Sequence, residues 1–244
     1  MKIITRKLPV AGGRARSAAG AGAFTLVELL VVIAIMAVLA GLSLVVVGQV
    51  KKTQWKSTAT AELNQIESAL EAYKAQYGVY PPSNANPTGT YTSPVTNSLL
   101  PQLYYELSGV TNQNGTTYVT LDGSASIAVT DVQKAFGVAG FLNCSKGGVE
   151  DATAARNFLL GLRKGQIGTA SDNGVAITNI LTSVRGPDST YMPLGVLDAN
   201  PFRYVYPGVN NPGSYDLWVQ LSMSGKTYLI CNWTKAVAIN NPLP

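Results

Sequence analysis

A run of nineteen residues, from Leu29 to Val47, contains no charged residue and no proline. As an α-helix it would be roughly 28 Å long, close to the thickness of the hydrocarbon layer of a membrane. A run of this length and composition is typical of a membrane helix. The sequence therefore predicts that residues 24–50 form a transmembrane helix, and the rest of the chain has to be organised around it.

A single carboxylate, that of Glu28, stands at the N-terminal edge of this run. A charged side chain in or near hydrocarbon is costly, so it usually has a partner and a function. Alternatively, Glu28 lies at the level of the lipid headgroups and its carboxylate reaches water. The position of the residue does not by itself decide between these two interpretations.

Residues 1–23 are basic. They contain five positively charged side chains and no acidic one: Lys2, Arg6, Lys7, Arg14 and Arg16. The whole chain has 18 basic and 13 acidic residues, so thirteen of each remain in residues 24–244. The positive charge therefore belongs to the N-terminal segment, and we expect no nucleic acid as a partner.

The same charges predict the orientation of the chain. Basic residues before an apolar segment favour a cytoplasmic N-terminus, with the residues beyond position 50 on the other side of the membrane. The alternative is a conventional secretory signal peptide. That interpretation needs a shorter apolar region followed by a cleavage site between small residues, and here the apolar run continues past Ala40.

The helix is predicted to extend well beyond the apolar run. Apolar residues recur at steps of three and four, which places them on one face of a helix: Trp55, Ala59, Leu63, Ile66, Leu70, Tyr73 and Tyr77. Gly78 and Pro81-Pro82 predict the end of this helix. We therefore expect one helix over 24–77, with an amphipathic second half, 51–77, that packs on a folded domain.

The remaining residues, 78–244, are predicted to form an exported globular domain. Three segments near its end have the composition of strands, 202–206, 215–222 and 226–233, and residues 223–225 have the composition of a hairpin turn. A small antiparallel sheet over the amphipathic half of the long helix gives an α+β fold. Short helices are expected over 101–107 and 151–164, with a strand or a turn of helix over 175–184.

Residues 23–34, Ala-Phe-Thr-Leu-Val-Glu-Leu-Leu-Val-Val-Ile-Ala, closely resemble the N-terminus of type IV prepilins and type II secretion pseudopilins. The resemblance implies a pilin-like fold and cleavage before Phe24 by a prepilin peptidase, which also methylates the new amino group. Residues 1–23 would then be a leader peptide. The family usually has glycine before the cleavage site, where this chain has Ala23, so cleavage after Gly22 is the alternative.

The resemblance also implies a function. The amino group of Phe24 in one subunit would neutralise Glu28 of a neighbour, so that many copies assemble into a filament. The partners of the chain would be other pseudopilins and an inner-membrane assembly platform. The protein would start in the bacterial inner membrane with its C-terminal domain in the periplasm. Residues 197–233 resemble the end of the major pseudopilin, whereas residues 83–196 match no pattern and form an unassigned insert.

Members of that family often hold a calcium ion near these C-terminal strands. Here the stretch that would supply several ligands is replaced by residues 220–226, which contain no acid. Asp198 and Asp216 remain as candidate ligands, although calcium usually needs six or more oxygens. We therefore expect no cofactor, with calcium at these two residues as the alternative.

Two cysteines, Cys144 and Cys231, fall on the predicted exported side. In an oxidising compartment they could form one disulfide that closes a long loop. The alternative is a pair of buried thiols. Neither interpretation is excluded by the sequence.

Catalysis is not indicated. The chain contains no histidine, no nucleophile motif and no phosphate-binding loop. We therefore expect a non-enzymatic protein, a structural subunit of a type II secretion pseudopilus or a type IV pilus-like filament. The alternative is a membrane-tethered binding module that does not polymerise and uses residues 83–196 as its ligand surface.

Overall fold

The structure is a computed structural model that describes residues 24–85, 98–145, 154–188, 190–235 and 237–239, with the backbone alone for residues 42–47, 164, 238 and 239. The chain divides into two units, residues 1–48 and 49–244. Across the described ranges, no helix is at once long enough and apolar enough to cross a membrane.

The longest element is a single helix, α1, which runs from Leu26 to Tyr77. It has no proline to interrupt it, and Gly78 follows it in the left-handed conformation, with φ of 77°. The Gly78 N–H bonds to the carbonyl of Lys74 at 2.7 Å and so closes the last turn. The predicted helix over 24–77 is confirmed, with its start two residues later.

Two short helices and ten strands follow α1 in the described residues. In chain order they are α2 (Leu103–Ser108), β1 (Val110–Gln113), β2 (Thr117–Thr120), β3 (Ser126–Ala128), α3 (Val129–Phe136), β4 (Cys144–Ser145), β5 (Ile167–Asp172), β6 (Val175–Ile180), β7 (Arg203–Val205), β8 (Asp216–Met223), β9 (Lys226–Cys231) and β10 (Ala238–Ile239). A single turn of 3-10 helix, Lys164–Gln166, precedes β5.

The last four strands form an antiparallel sheet with the order β10-β9-β8-β7. Strands β8 and β9 pair from Trp218 opposite Cys231 to Met223 opposite Lys226. Ser224 and Gly225 make the tight turn between them, both with positive φ. The three predicted strands and their hairpin are therefore confirmed, and β10 adds a fourth strand.

The apolar stripe of α1 packs on one face of this sheet. Leu63, Ile66 and Leu70 are almost fully buried and share one core with Leu217 of β8 and Ile230 of β9. This packing buries the face of the helix that the spacing predicted, because residues three and four apart lie one above another on a helix. The predicted α+β fold, a long helix packed on antiparallel strands, is confirmed.

The insert has a second core and two further sheets. One sheet has the order β3-β2-β1-β4, and β5 pairs with β6 in a separate hairpin. The core combines aliphatic side chains with a group of aromatic rings: Tyr105 lies 5.9 Å from Phe136 and 5.2 Å from Phe141, measured between ring centroids. The insert is therefore held together by apolar packing of its own.

The helix predicted over 151–164 is wrong for the part that the structure describes, 154–163, which is extended with one turn. Asn143 explains the difference: its Oδ1 accepts the Arg156 N–H at 2.8 Å, and its Nδ2 donates to the Arg156 carbonyl at 2.6 Å. The Phe158 N–H donates to the Leu107 carbonyl at 2.8 Å. These bonds occupy backbone groups that a helix would need for itself. Residues 151–153 lie outside the described residues.

Candidate assembly site

Thr25 and Glu28 form a reciprocal cap at the start of α1. Oε2 of Glu28 accepts the Thr25 N–H at 2.9 Å and the Thr25 hydroxyl at 2.8 Å, and the Glu28 N–H donates to Thr25 Oγ1 at 3.2 Å. This capping box satisfies backbone donors that the first turn of a helix leaves without a carbonyl partner. The carboxylate of Glu28 is therefore already hydrogen-bonded within its own chain.

The side chains around this cap are apolar and exposed. Every residue from Phe24 to Gly41 is exposed, and Phe24 and Leu26 are both 79 % exposed. A continuous apolar surface of this size is unusual in a soluble protein and marks a surface that binds a membrane or another apolar surface. Glu28 is the only charged residue between 24 and 41.

The structure places the two candidate calcium ligands in different hydrogen-bonding environments. Asp198 is exposed and pairs with Arg185 at 3.2 Å. Asp216 is buried, and its two oxygens accept the backbone N–H groups of residues 209–211 and the Asn210 side-chain amide, at 2.8 to 3.0 Å. In the described residues no group of three or more cysteines and acids is placed to hold a metal ion. Calcium at this pair stays an untested prediction.

Asp216 instead orders the loop between β7 and β8. A Cβ atom added to Gly208 would lie 2.6 Å from Asp216 Oδ1 and 2.8 Å from the Asn211 carbonyl oxygen, so the loop closes tightly around the carboxylate. Four N–H donors around one carboxylate stabilise its charge without a metal ion. No local pattern of residues indicates this role for Asp216.

Both cysteines are thiols in the structure and belong to different sheets. Cys144 lies half-buried on β4, where its Sγ donates to the Ser145 carbonyl at 3.5 Å. Cys231 is buried on β9, and loss of hydration raises the pKa of its thiol. A disulfide between Cys144 and Cys231 therefore stays a prediction that the structure does not contain.

Two buried glutamates connect the insert to the rest of the domain, and sequence analysis missed both. Glu62 of α1 accepts the Thr182 hydroxyl at 2.6 Å and the Ser183 N–H at 3.1 Å. Glu106 of α2 accepts the Tyr73 hydroxyl at 2.9 Å. No sequence signal distinguishes these residues from solvated glutamates, because their donors come from distant parts of the chain.

Residues 19–44 match a family model described as the prokaryotic N-terminal methylation motif. The N-terminus is therefore of the type found in type IV prepilins and pseudopilins, as the sequence predicted. The motif implies processing by a prepilin peptidase, a membrane-anchored N-terminus and assembly into pilus-like filaments. No curated protein and no solved structure matches the chain.

The cap at Thr25 gives a test that is independent of assembly. Thr25→Val removes the hydroxyl group that bonds Glu28, so the first turn of α1 is expected to open more often. Amide hydrogen exchange of Glu28 and Leu29, whose N–H groups bond to Thr25, should become roughly fivefold faster in detergent, the ratio that corresponds to the loss of a typical helix cap. Thr25→Ser keeps the hydroxyl and should exchange at the wild-type rate. Equal rates in all three proteins would contradict the cap.

Proposed function

We propose that this chain is a structural subunit of a type II secretion pseudopilus or of a type IV pilus-like filament, assembled through α1. The observation that supports the proposal most strongly is the exposed apolar helix from residue 24 to 41 with Glu28 as its one charge. A surface of this kind is unstable in water and is covered when many copies pack side by side.

Glu28 would set the axial register between neighbouring subunits. An unpaired carboxylate inside a packed apolar bundle is strongly unfavourable, so the acid requires a cation when the helices pack. Cleavage before Phe24 creates one, since it exposes a positively charged amino group at the start of the helix. Pairing of that group with Glu28 of a neighbour would fix the axial offset between subunits and would make assembly depend on processing.

The proposal includes the steps before assembly. Residues 1–23 would be the leader that the prepilin peptidase removes, with Ala23 just before the cleaved bond. The unprocessed protein would be a single-pass protein of the bacterial inner membrane with residues 51–244 in the periplasm. Other pseudopilins and the inner-membrane assembly platform would be its partners. Flanking genes for a secretin and a secretion ATPase, without a retraction ATPase, would favour the secretion pseudopilus.

Mass spectrometry of the native protein tests the processing step. The expected N-terminal peptide begins with a methylated Phe24 and lacks residues 1–23. A peptide that begins with methylated Ala23 would move the cleavage site to Gly22 and keep the proposal. An intact leader on the purified native protein would overturn it.

The alternative function is a membrane-tethered binding module that does not polymerise. The second core of the insert favours it, because a subdomain with its own packing can present a ligand surface. Single cysteines placed along 24–50, in a chain with Cys144 and Cys231 replaced by serine, distinguish the two functions. Oxidation should give a regular ladder of multimers for a filament, whereas monomers at every position would favour the module.

A further inference from the structure

A cleft of about 500 Å³ lies beside the amphipathic half of α1. Thr60, Asn64 and Glu67 of α1 form one wall, and residues 229–235 and Val237 form the other. The lining combines an apolar floor with amide, hydroxyl and carboxylate groups, a composition that suits a protein interface better than a purely apolar pocket.

Glu67 lines this cleft, and Glu71, which is exposed and outside the lining, follows it on α1. Glu67 and Glu71 are one turn apart on α1, a spacing at which like charges repel. Glu71 accepts a hydrogen bond from the Tyr80 hydroxyl at 2.8 Å, and Lys74 donates to the same hydroxyl at 3.3 Å. The described residues contain one salt bridge, that of Arg185 and Asp198, so no lysine or arginine nitrogen described there lies within 4 Å of either glutamate.

Partial burial makes the charged form of the Glu67 carboxyl group less favourable. Partial loss of hydration, and then the charge of Glu71, raise the pKa of the Glu67 carboxyl group. Lys235 lies in the opposite wall of the cleft but not within salt-bridge distance. A cation that entered the cleft would therefore stabilise the charged form of Glu67. It would offset both the cost of the lost hydration and the repulsion between the two acids.

A complementary basic surface lies at the start of the amphipathic half of α1. We call the set Lys51, Lys52 and Lys226 the basic end. Lys51 and Lys226 are exposed, and Lys52 is half-buried. Asp188 lies near two of these lysines. Its carboxylate accepts hydrogen bonds from the N–H groups of Ser224 and Gly225, which precede Lys226, and it interacts with the charge of Lys52. Lys52 is therefore the lysine whose charge acts on Asp188, and Lys51 precedes it directly in α1.

We propose that the basic end of one copy of this chain docks against Glu67 in the cleft, and against the neighbouring Glu71, of a second copy. The inference rests on the proposed filament and adds a second contact to it. Lys51 and Glu67 are sixteen residues apart on α1, roughly 24 Å along the axis. Two parallel helices displaced by about that distance bring the two side chains together.

This displacement differs from that of the N-terminal contact. Phe24 and Glu28 are four residues apart, which corresponds to roughly 6 Å along a helix. The two contacts therefore join a subunit to two different neighbours, as a helical array permits. Opposite charges at fixed positions would specify the second displacement and disfavour others.

Zero-length crosslinking tests the contact directly in assembled filaments. A carbodiimide joins a lysine to a carboxylate that touches it, and filaments from a mixture of ¹⁴N- and ¹⁵N-labelled subunits distinguish links between chains from links within one. We expect mixed-isotope peptides that connect the basic end to Glu67 or Glu71. Intact filaments without these links would overturn this inference alone, whereas a wild-type protein that forms no filaments would overturn the proposed function and this contact with it.

Charge reversal supplies the second measurement. Glu67→Lys with Glu71→Lys should lower the filament yield about tenfold or more, since it places like charges opposite each other. Addition of Lys51→Glu and Lys52→Glu to the same chain should restore the yield. Gln133→Lys, which places a positive charge at an exposed position of α3, is the control and should assemble normally. Wild-type yield from the reversed pair, or failure of the combined variant to assemble, would contradict the contact.

Discussion

Glu28→Ala is expected to be cleaved and methylated like the wild-type protein. Its filament yield is expected to fall by about tenfold or more. The variant keeps the amino group of Phe24, so processing proceeds. It has no carboxylate to pair with that amino group, which would then be buried without an opposite charge when the helices pack. Electron microscopy of sheared filaments and mass spectrometry of the N-terminus measure the two steps separately.

The capping box requires a control, because Glu28 also bonds Thr25 within its own chain. Glu28→Gln keeps a side-chain oxygen that can accept the Thr25 hydrogen bonds but carries no charge. Thr25→Val keeps the charge and removes the hydroxyl. If pairing between chains is the role of Glu28, the Gln variant should assemble as poorly as the Ala variant, whereas Thr25→Val should assemble better than both. Normal assembly of Glu28→Gln would contradict the pairing.

Glu106→Ala is expected to give the largest loss of stability. Glu106 is 1 % exposed, and its oxygens accept the N–H groups of Leu142 and Asn143 and the hydroxyl of Tyr73, at 2.9 to 3.0 Å. The substitution leaves these three donors, two of them buried, without their acceptor and opens a cavity between α1 and the insert. The free energy of unfolding should fall by roughly 3 to 5 kcal/mol.

Urea denaturation in detergent, followed by tryptophan fluorescence, measures this loss. Gln133→Ala provides the control, because Gln133 is exposed on the short helix α3 and its truncation should change the free energy of unfolding by less than about 1 kcal/mol. Equal stability of Glu106→Ala and the wild type would show that the network does not hold the insert against α1.

The same residue predicts a pH dependence. Burial raises the pKa of the Glu106 carboxyl group, although three hydrogen bonds act in the opposite direction. Between the ordinary value of about 4.3 and the raised value, the folded protein holds a proton that the unfolded chain has released. The contribution of Glu106 to stability is therefore complete below the ordinary value and is lost as the pH rises through the raised one. This decrease should be absent from Glu106→Ala.

The strands and helices that depend on local patterns were predictable. The stripe from Trp55 to Tyr77 specified the buried face of α1, and the turn at residues 223–225 specified the β8–β9 hairpin. Each signal comes from residues that are close in the sequence, and the same contacts persist in the folded protein. The helix predicted over 151–164 does not form in its described part, 154–163, because the side chain of Asn143, more than ten residues away, bonds to the backbone of Arg156.

Among the carboxylates, too, one was singled out by the sequence and three were recognised only in the tertiary structure. The prediction of an assembly role for Glu28 came from the sequence, because an isolated charge at the edge of an apolar run is costly where water is excluded and because the surrounding residues resemble the prepilin N-terminus. The roles of Glu62, Glu106 and Asp216 became apparent in the tertiary structure. For Glu62 and Glu106 the donors include groups 33 to 121 residues away, and for Asp216 they come from a loop whose closure no local pattern indicates.

The sequence by itself therefore determined the prepilin-type N-terminus, the long helix and the face of that helix that is buried. Hydrophobic periodicity and the cost of an isolated charge are local properties, and they act before the chain has folded. Only the tertiary structure decided how the insert is built, which acids are buried and where the cleft at Glu67 lies. Those features depend on groups that folding brings together from distant positions, and loss of hydration acts on them only after they meet.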